Sequence, residues 1–361
     1  MTRRMVATVF ILVVALAPAA AARTVVGMGD QKPTLFSDPR FRWLRVHDAR
    51  IVVSWDVMAS KSERAWAATW LKGARRDGVQ PLVAFGHGWT GAARHRLPSV
   101  AAYRAAFVRF RRAYPWVRTY TAWNEANHCS QPTCHHPERA AQYYDALRDA
   151  CRKCTVVAAD VLDQNNMGGW LRRFERAAKH KPRLWGLHNY LDANRLRSTG
   201  TRRLLRAVRG TVWITETGGV VRRNHYKSQI SFPESPEHAA KVTRYVLSLA
   251  AREPRIARVY LYQWNADSLF QAWDSGIIDP FGQRRPSYAV LARFVGRNPS
   301  KAPADPKFPF PPAPPPPGPA GPGAEQPPPS GSSSSPPPSS PPPQEPQPNC
   351  PLPPLCLPSL G

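Results

Sequence analysis

The stretch of sequence that decides the fold runs over residues 49–86 and reads ARIVVSWDVMASKSERAWAATWLKGARRDGVQPLVAFG. Two β-rich runs, residues 49–57 and 80–86, flank a segment, residues 62–77, whose apolar side chains recur at helical spacing. Gly78 follows this segment where a helix C-terminus favours glycine. The stretch therefore predicts a strand–helix–strand unit with two parallel strands.

The same alternation continues outward on both sides of this unit. Further strands are predicted at residues 24–29, 117–124, 155–159, 183–189, 211–215 and 255–264. Further helices are predicted at residues 38–47, 98–114, 137–151, 168–179, 201–208, 235–252 and 286–295. Eight strands alternating with eight helices predict an α/β protein with a (β/α)8 TIM barrel. The alternative is an open doubly wound sheet, but the first predicted strand lacks the glycine-rich loop of its nucleotide-binding forms.

The N-terminus has the three parts of a secretory signal peptide. Arg3 and Arg4 precede an apolar run at residues 6–16, and small residues follow at 19–22. The run is shorter than the roughly 20 residues that a membrane-spanning helix needs. We expect residues 1–22 to be a signal peptide and the protein to be secreted, with association with the cell wall as a further expectation. An uncleaved membrane anchor is the alternative.

Composition changes sharply near residue 302. Residues 302–361 contain 26 of the 41 prolines, interspersed with Ser, Gly and Gln. A segment of this kind buries too little apolar surface to offset the entropy lost on ordering. We expect residues 302–361 to be a disordered Pro/Ser-rich tail and residues 23–301 to be the barrel domain.

The formal net charge is +26, and 40 of the 50 basic residues are arginine. One interpretation is an electrostatic partner, such as an acidic cell-wall polymer bound by the basic surface or the tail. The other is biased base composition of the gene, since Ala and Pro are also abundant. No nucleic-acid-binding module is visible, so we expect no nucleic acid partner, and we expect a monomer.

Six cysteines in an exported chain indicate disulfides. Local spacing favours Cys129–Cys134 and Cys151–Cys154 in the globular part, although four cysteines allow three connectivities. A zinc site is the alternative for the first pair, because three histidines adjoin it: His128, His135 and His136. A redox motif is the alternative for the second pair, but no thioredoxin-like context accompanies it.

Two glutamates stand where predicted strands end. Glu125 follows the fourth strand and Glu216 follows the seventh. In TIM barrels the active site lies at the C-terminal ends of the strands, so both carboxyls are expected at one face. Cleavage of a glycosidic bond needs two such groups, one to protonate the leaving oxygen and one to attack or stabilise the anomeric carbon.

These segments resemble glycoside hydrolase clan A, the cellulase superfamily of TIM-barrel glycosidases, over residues 24–298. The most specific motifs are Asn124-Glu125 after the fourth strand and Glu216 after the seventh. Further positions that resemble the clan pattern are Arg50 in the second strand, His188 and Tyr190 after the sixth, and Trp264 at the end of the eighth.

The resemblance implies a retaining glycoside hydrolase that acts on a β-linked poly- or oligosaccharide by double displacement, without a metal or a cofactor. Glu125 would be the acid/base and Glu216 the nucleophile. Asn124 would bind the sugar 2-hydroxyl. The other members of the set would be positioning and substrate-binding residues: Arg50 to keep Glu216 ionised, Tyr190 to orient it, His188 beside the acid/base or substrate, and Trp264 as an apolar floor under the sugar.

Four of these residues also have a structural explanation. Arg50 could neutralise Asp48 or Asp56, and Asn124 could cap the following loop. His188 and Trp264 could belong to the core. A protein of another class, a non-catalytic glycan-binding barrel, would use the same aromatic and basic residues.

Overall fold

The computed structural model describes residues 24–89, 91–224, 231–269 and 271–306. The predicted signal peptide, residues 307–361 of the predicted tail, and Cys350 and Cys356 lie outside these residues. No helix in the described ranges is long and apolar enough to cross a membrane.

The described residues contain eleven strands. They are β1 (Val25–Gly29), β2 (Asp48–Ser54), β3 (Gln80–Gly86), β4 (Thr119–Thr121), β5 (Thr155–Val157), β6 (Asp160–Leu162), β7 (Leu184–His188), β8 (Thr211–Thr217), β9 (Arg222–Arg223), β10 (Ile256–Tyr262) and β11 (Trp273–Asp274). The α-helices are α1 (Pro39–Leu44), α2 (Lys61–Arg76), α3 (Val100–Ala113), α4 (Pro137–Ala150), α5 (Met167–Ala177), α6 (Tyr190–Asn194), α7 (Thr199–Ala207), α8 (Pro236–Arg252) and α9 (Pro286–Phe294).

The quoted stretch folds as predicted, with α2 connecting the parallel strands β2 and β3. Ser60 caps α2 by accepting a backbone hydrogen bond in its first turn. Gly78 follows the helix with a φ of +66°, a conformation that residues with a side chain rarely adopt. The apolar face of α2 is buried through Trp66 and Trp70, so the helix packs onto the sheet by that face.

Nine strands form one sheet in the order β5-β4-β3-β2-β1-β10-β8-β7-β6, and all its pairs are parallel. The order follows the chain around a barrel, with β1 between β2 and β10, instead of reversing at a switch point as in a doubly wound sheet. The predicted (β/α)8 TIM barrel is therefore confirmed.

The fifth predicted strand, residues 155–159, is two short strands instead of one. β5 pairs with β4, whereas β6 pairs with β7. The strand is interrupted because the backbone there stops pairing with the chain after β4 and begins to pair with β7. Ala122 N–H donates to the Val157 carbonyl, whereas Gly186 N–H donates to the Ala159 carbonyl. The sixth, seventh and eighth predicted strands are consequently β7, β8 and β10.

Two small elements at the C-terminal end of the barrel were not predicted. Helix α6 begins directly after β7, and the antiparallel pair β9–β11 joins the loops that follow β8 and β10. Both lie in connections that carry candidate site residues.

The folded contacts extend past residue 301, the predicted end of the barrel domain. Asp305 forms ion pairs with Arg40 and Arg284, each at 2.9 Å. The carbonyl of Pro306 accepts a hydrogen bond from Gln283. The ordered contacts therefore continue to residue 306, because an acidic side chain just past the last helix meets two arginines of the barrel.

Candidate active site

The candidate residues come from separate strands and meet at the C-terminal end of the barrel. Arg50 lies in β2, Asn124 and Glu125 follow β4, His188 ends β7 and Glu216 lies near the end of β8. Parallel strands bring their carboxyl ends to the same face, which explains why residues so distant in sequence become neighbours.

The two glutamates face each other across this end of the barrel. One carboxylate oxygen of each lies within 4.8 Å of the other and of a ring nitrogen of His188. Glu125 is 3% exposed and Glu216 is 7% exposed. The two carboxyls are thus largely withdrawn from water and close enough to act on one atom.

Donors bind both oxygens of Glu216. Arg50 Nη1 donates to Oε2 at 2.5 Å, and the Tyr190 hydroxyl donates to Oε1 at 3.1 Å. Burial and the adjacent Glu216 raise the pKa of Tyr190, so its hydroxyl keeps its proton and remains a donor. These two contacts, one on each oxygen, fix the plane of the Glu216 carboxyl group.

Arg50 is the hub of a buried network and is 2% exposed. Its Nη2 donates to Asn124 Oδ1 at 2.6 Å and to Asp160 Oδ2 at 2.7 Å. Burial alone would lower the pKa of the guanidinium, but Asp160 and Glu216 raise it above its ordinary value. The alternative partners Asp48 and Asp56 do not bind Arg50 in the structure, since Asp48 pairs with Arg258.

Asp160 is a site residue that the sequence reasoning missed. It is fully buried at the start of β6 and accepts hydrogen bonds from Arg50 and from Thr215 at 2.7 Å. Burial raises the pKa of a carboxyl, but Arg50 and hydrogen bonds from His188 and Thr215 lower the pKa of Asp160 below its ordinary value. Its position directly after the predicted fifth strand, at the catalytic face, was the available signal.

A glycine makes room for this buried carboxylate. A side-chain carbon on Gly186 in β7 would lie 2.0 Å from Asp160 Oδ1 and 2.8 Å from Thr215 Oγ1. Glycine is therefore the residue that lets β6, β7 and β8 approach with Asp160 between them.

His188 connects Asp160 to Glu125. Its Nδ1 lies 3.1 Å from Glu125 Oε1 and its Nε2 lies 3.5 Å from Asp160 Oδ2. Burial disfavours the charged ring, but Glu216, Asp160 and Glu125 together raise the pKa of His188 to about 9. The Nδ1 of His188 is thus directed to Glu125, whereas its Nε2 faces both Asp160 and, at 3.3 Å, the Nη2 atom of Arg50.

The backbone at Glu125 is unusual. Its φ of +46° places a non-glycine residue in the left-handed region. Such conformations cost of order 1–3 kcal/mol and cluster at functional sites. The turn is fixed on both sides, because Asn124 N–H donates to Phe85 and Ala126 N–H donates to Asp160.

Trp264 is buried in the core instead of forming the expected apolar surface under the sugar. The indole is 1% exposed, packs edge-on against Phe41 and Tyr288, and donates its N–H to Asp38 at 2.9 Å. A ring this buried, with Phe41 and Tyr288 packed against it, offers no face to a sugar. The partly buried Trp273, which meets the Tyr190 ring edge-on at 5.1 Å, lies nearer the glutamates.

The four cysteines among the described residues lie in two loops. Cys151 and Cys154 are joined by a disulfide after α4. The Sγ atoms of Cys129 and Cys134 lie 2.7 Å apart, and His135 offers a nitrogen within 4.8 Å of both. Two thiolates on tetrahedral zinc, with Zn–S about 2.3 Å, would stand about 3.8 Å apart. The observed spacing therefore suits a sulfur–sulfur pairing better than zinc.

Glu125, His188 and Glu216 are also spaced as three ligands of one metal ion would be. However, Arg50 and Tyr190 already bind both oxygens of Glu216. A cation there would compete with a buried guanidinium, so the donor set suits a carboxylate pair better than a metal centre.

No protein-family model matches the chain, and no curated protein matches it by sequence. Solved structures do share its fold. Among them are native xylanase 10B from Thermotoga maritima, with a TM-score of 0.56 and 11% identity over 76% of this chain and 96% of that one. A fungal β-1,4-galactanase has a TM-score of 0.58 and 10% identity over 75% of this chain and 99% of that one. A GH5_18 protein from Bifidobacterium longum subsp. infantis has a TM-score of 0.55 and 16% identity over 76% of this chain and 79% of that one. At these identities the likeness establishes the shared barrel.

Proposed function

We propose that this chain is a retaining glycoside hydrolase, with Glu125 as general acid/base and Glu216 as nucleophile. The observation that carries the proposal is the approach of their carboxylate oxygens to within 4.8 Å at the C-terminal end of the barrel. Retaining enzymes hold the two carboxyls about 5–5.5 Å apart, whereas inverting enzymes leave about 6.5–9.5 Å for a water molecule. The fold shared with solved glycoside hydrolases supports the same reaction class.

In the first step Glu125 would give its proton to the glycosidic oxygen while a Glu216 oxygen attacks the anomeric carbon. The bond to the leaving alcohol breaks and a glycosyl ester on Glu216 forms. In the second step water attacks the same carbon, Glu125 takes the proton of that water, and Glu216 leaves as a carboxylate. Arg50 and Tyr190 support this role of Glu216, because they fix its carboxylate and stabilise the charge it regains.

Asn124 and His188 fit supporting roles. The Asn124 oxygen accepts from Arg50, which turns the amide so that its NH₂ group is left to donate to a sugar hydroxyl. The charged His188 donates to Glu125 and so orients the acid/base when it is a carboxylate. Trp264 takes no part in this proposal.

We further propose a β-linked poly- or oligosaccharide as the substrate, and a secreted monomer as the working form. Contact with a wall polymer through the basic surface or the tail belongs to the same proposal. The competing function is glycan binding by a non-catalytic barrel. Measured turnover of a glycan distinguishes the hydrolase from the binding protein.

The test is a screen of the purified protein against aryl β-glycosides and β-glycans, beside Glu216→Gln and Glu125→Ala. Glu216→Gln should abolish turnover. Glu125→Ala should spare substrates with good leaving groups, since these need no protonation. Glu237→Gln on the exposed first turn of α8 is the matched control and should behave as wild type. Azide should restore a product of inverted configuration in Glu216→Gly. Glycan binding without turnover in the wild type would support the binding barrel instead.

A further inference from the structure

Acidic residues are missing from one long part of the chain. Between Gly78 and Pro137 the only carboxylate side chain is Glu125. The same stretch contains seven arginines, and it supplies the loops after β3 and β4 that border the candidate site. Glu125 therefore lies beside loops whose other charged groups are all cationic.

The loop after β3 carries a compact group of such residues. His87 is half-buried at the end of β3, and a 3-10 turn at Gly91–His95 follows. Burial lowers the pKa of His87, Arg94 and His95 lower it further, and Glu125 acts in the opposite direction. His87 thus interacts electrostatically with the loop cations on one side and with the proposed acid/base on the other.

Arg94 and Arg96 lack the carboxylate partner that two other arginines at this end of the barrel, Arg223 and Arg285, have. Arg223 pairs with Glu234 at 2.6 Å, and Arg285 pairs with Asp274 at 2.6 Å. By contrast, no carboxylate among the described residues lies within 4.0 Å of Arg94 or Arg96, although Arg94 is half-buried.

The opposite side of the site has the reverse charge balance. Near β1 and β10, the buried Lys32 binds Asp30 at 3.1 Å and Asp267 at 2.9 Å, and the Asp267 side chain is 35% exposed. Tyr262 lies in the field of both Glu216 and these two aspartates. One lysine against two carboxylates disfavours an anion there, so the electrostatic asymmetry favours the β3 side.

We propose that the loop after β3 binds an anionic group, a carboxylate or a phosphate, carried by the glycan near the bond that is cleaved. The proposal rests on the glycosidase assignment and narrows its substrate class to charged glycans. Arginine suits both anions, because its planar guanidinium can donate two parallel hydrogen bonds to either. Arg94 and Arg96 are the residues assigned to this contact.

Binding tests the proposal without requiring turnover. The probes are carboxymethyl, phosphorylated and neutral hydroxyethyl derivatives of three backbones, a β-1,4-glucan, a β-1,3-glucan and a β-1,4-mannan. Affinity electrophoresis of Glu216→Gln should show tighter binding to an anionic derivative than to its neutral counterpart on at least one backbone. The carboxymethyl and phosphorylated arms show which anion is preferred.

Adding Arg94→Gln and Arg96→Gln to this background should weaken binding of the anionic derivative about tenfold, as the loss of two partly screened contacts implies. Binding of the neutral derivative should change by less than about twofold. Replacing both arginines by lysine should retain part of the preference, because the charge remains. Arg109→Gln together with Arg112→Gln, which removes the same two charges from the exposed face of α3, is the control and should leave the preference intact.

Three results would overturn the proposal: no preference for anionic derivatives on any backbone, a preference that survives the Arg94/Arg96 double substitution, or an equal loss in the control with Arg109 and Arg112 replaced. These outcomes are separate from the glycosidase test. If Glu216→Gln retained full turnover, the catalytic assignment would fail whatever the charge preference.

Discussion

At the scale of single residues, the site depends on how three carboxylates are held around two cations. Arg50 and His188 carry positive charge inside the barrel, and Glu125, Asp160 and Glu216 surround them. Removing one member of such a network leaves an uncompensated buried charge, which destabilises more than the intact network stabilises. Substitutions here should therefore preserve shape where possible.

Tyr190→Phe is the mildest such substitution. It removes only the hydroxyl that donates to Glu216 at 3.1 Å. A hydrogen bond to a charged group contributes about 1.5–3 kcal/mol, so we expect kcat on an aryl glycoside to fall about ten- to hundredfold. Arg50 still binds the other oxygen, so the protein should fold normally. Circular dichroism and steady-state kinetics test this, and an unchanged kcat would show that Tyr190 does not position Glu216.

The raised pKa of His188 makes stability depend on pH. Because its folded pKa of about 9 exceeds its ordinary value of 6.5, the stabilisation is fully present below pH 6.5 and is lost as the pH rises through 9. This difference corresponds to about 3 kcal/mol. Urea unfolding between pH 6 and 9.5 should show the decline, and His188→Gln should flatten it. An equally steep decline in that variant would assign the effect to another group.

At the scale of elements, short strands and their ends place the functional groups. His188 ends β7 and Tyr190 begins α6, so residues two apart in sequence reach different glutamates. The division of the fifth barrel strand places Asp160 at the start of β6, where it can reach Arg50. The arrangement of the candidate site thus depends on where the strands end more than on their length.

Gly186→Ala tests this dependence. The new methyl group would occupy the position 2.0 Å from Asp160 Oδ1, so Asp160 must move and its contacts with Arg50 and Thr215 must weaken. We expect a large loss of activity and a lower melting temperature. Gly169→Ala in α5 is the control, since its methyl group would meet only Arg172 at 3.8 Å and alanine favours helix. Equal behaviour of the two variants would argue against a packing role for Gly186.

At the scale of the whole molecule, contacts with the barrel extend past the residue at which the composition changes. The composition changes near 302, whereas contacts with the barrel persist through Asp305 and Pro306. The Asp305 carboxylate lies between Arg40, which is 6% exposed, and Arg284. The functional boundary should therefore follow residue 306.

Truncation after Pro306 should leave activity on a soluble aryl glycoside and the melting temperature unchanged. Truncation after Pro299 should lower the melting temperature by a few degrees, because losing the Asp305 pairs costs about 1 kcal/mol. Asp305→Asn in the full chain should reproduce part of that loss. Differential scanning fluorimetry measures all three. Equal melting temperatures for both truncations would show that residues 300–306 do not stabilise the barrel.

The sequence by itself was enough to predict the barrel and the positions of Glu125 and Glu216 at the ends of its strands. Alternating β-rich and amphipathic stretches are local patterns, set by side-chain spacing, so they can be recognised without knowledge of the tertiary neighbours. The position of Glu125 and Glu216 at strand ends follows from the same patterns. Because parallel strands end at one face, that position was enough to predict their meeting.

The tertiary structure decided which neighbours complete the site. Asp160 belongs to the candidate site because β5 and β6 pair with different strands and because Gly186 leaves space for the Asp160 carboxylate. Neither feature is visible in a local sequence pattern. Trp264 lies outside the candidate site, because its orientation is set by the side chains that pack around it. These side chains are Phe41, Tyr288 and Asp38, which lie far from Trp264 in sequence. The periodicity of the sequence indicates which face of a strand or helix carries a side chain. Only three-dimensional packing determines which partners a large ring or a buried charge contacts.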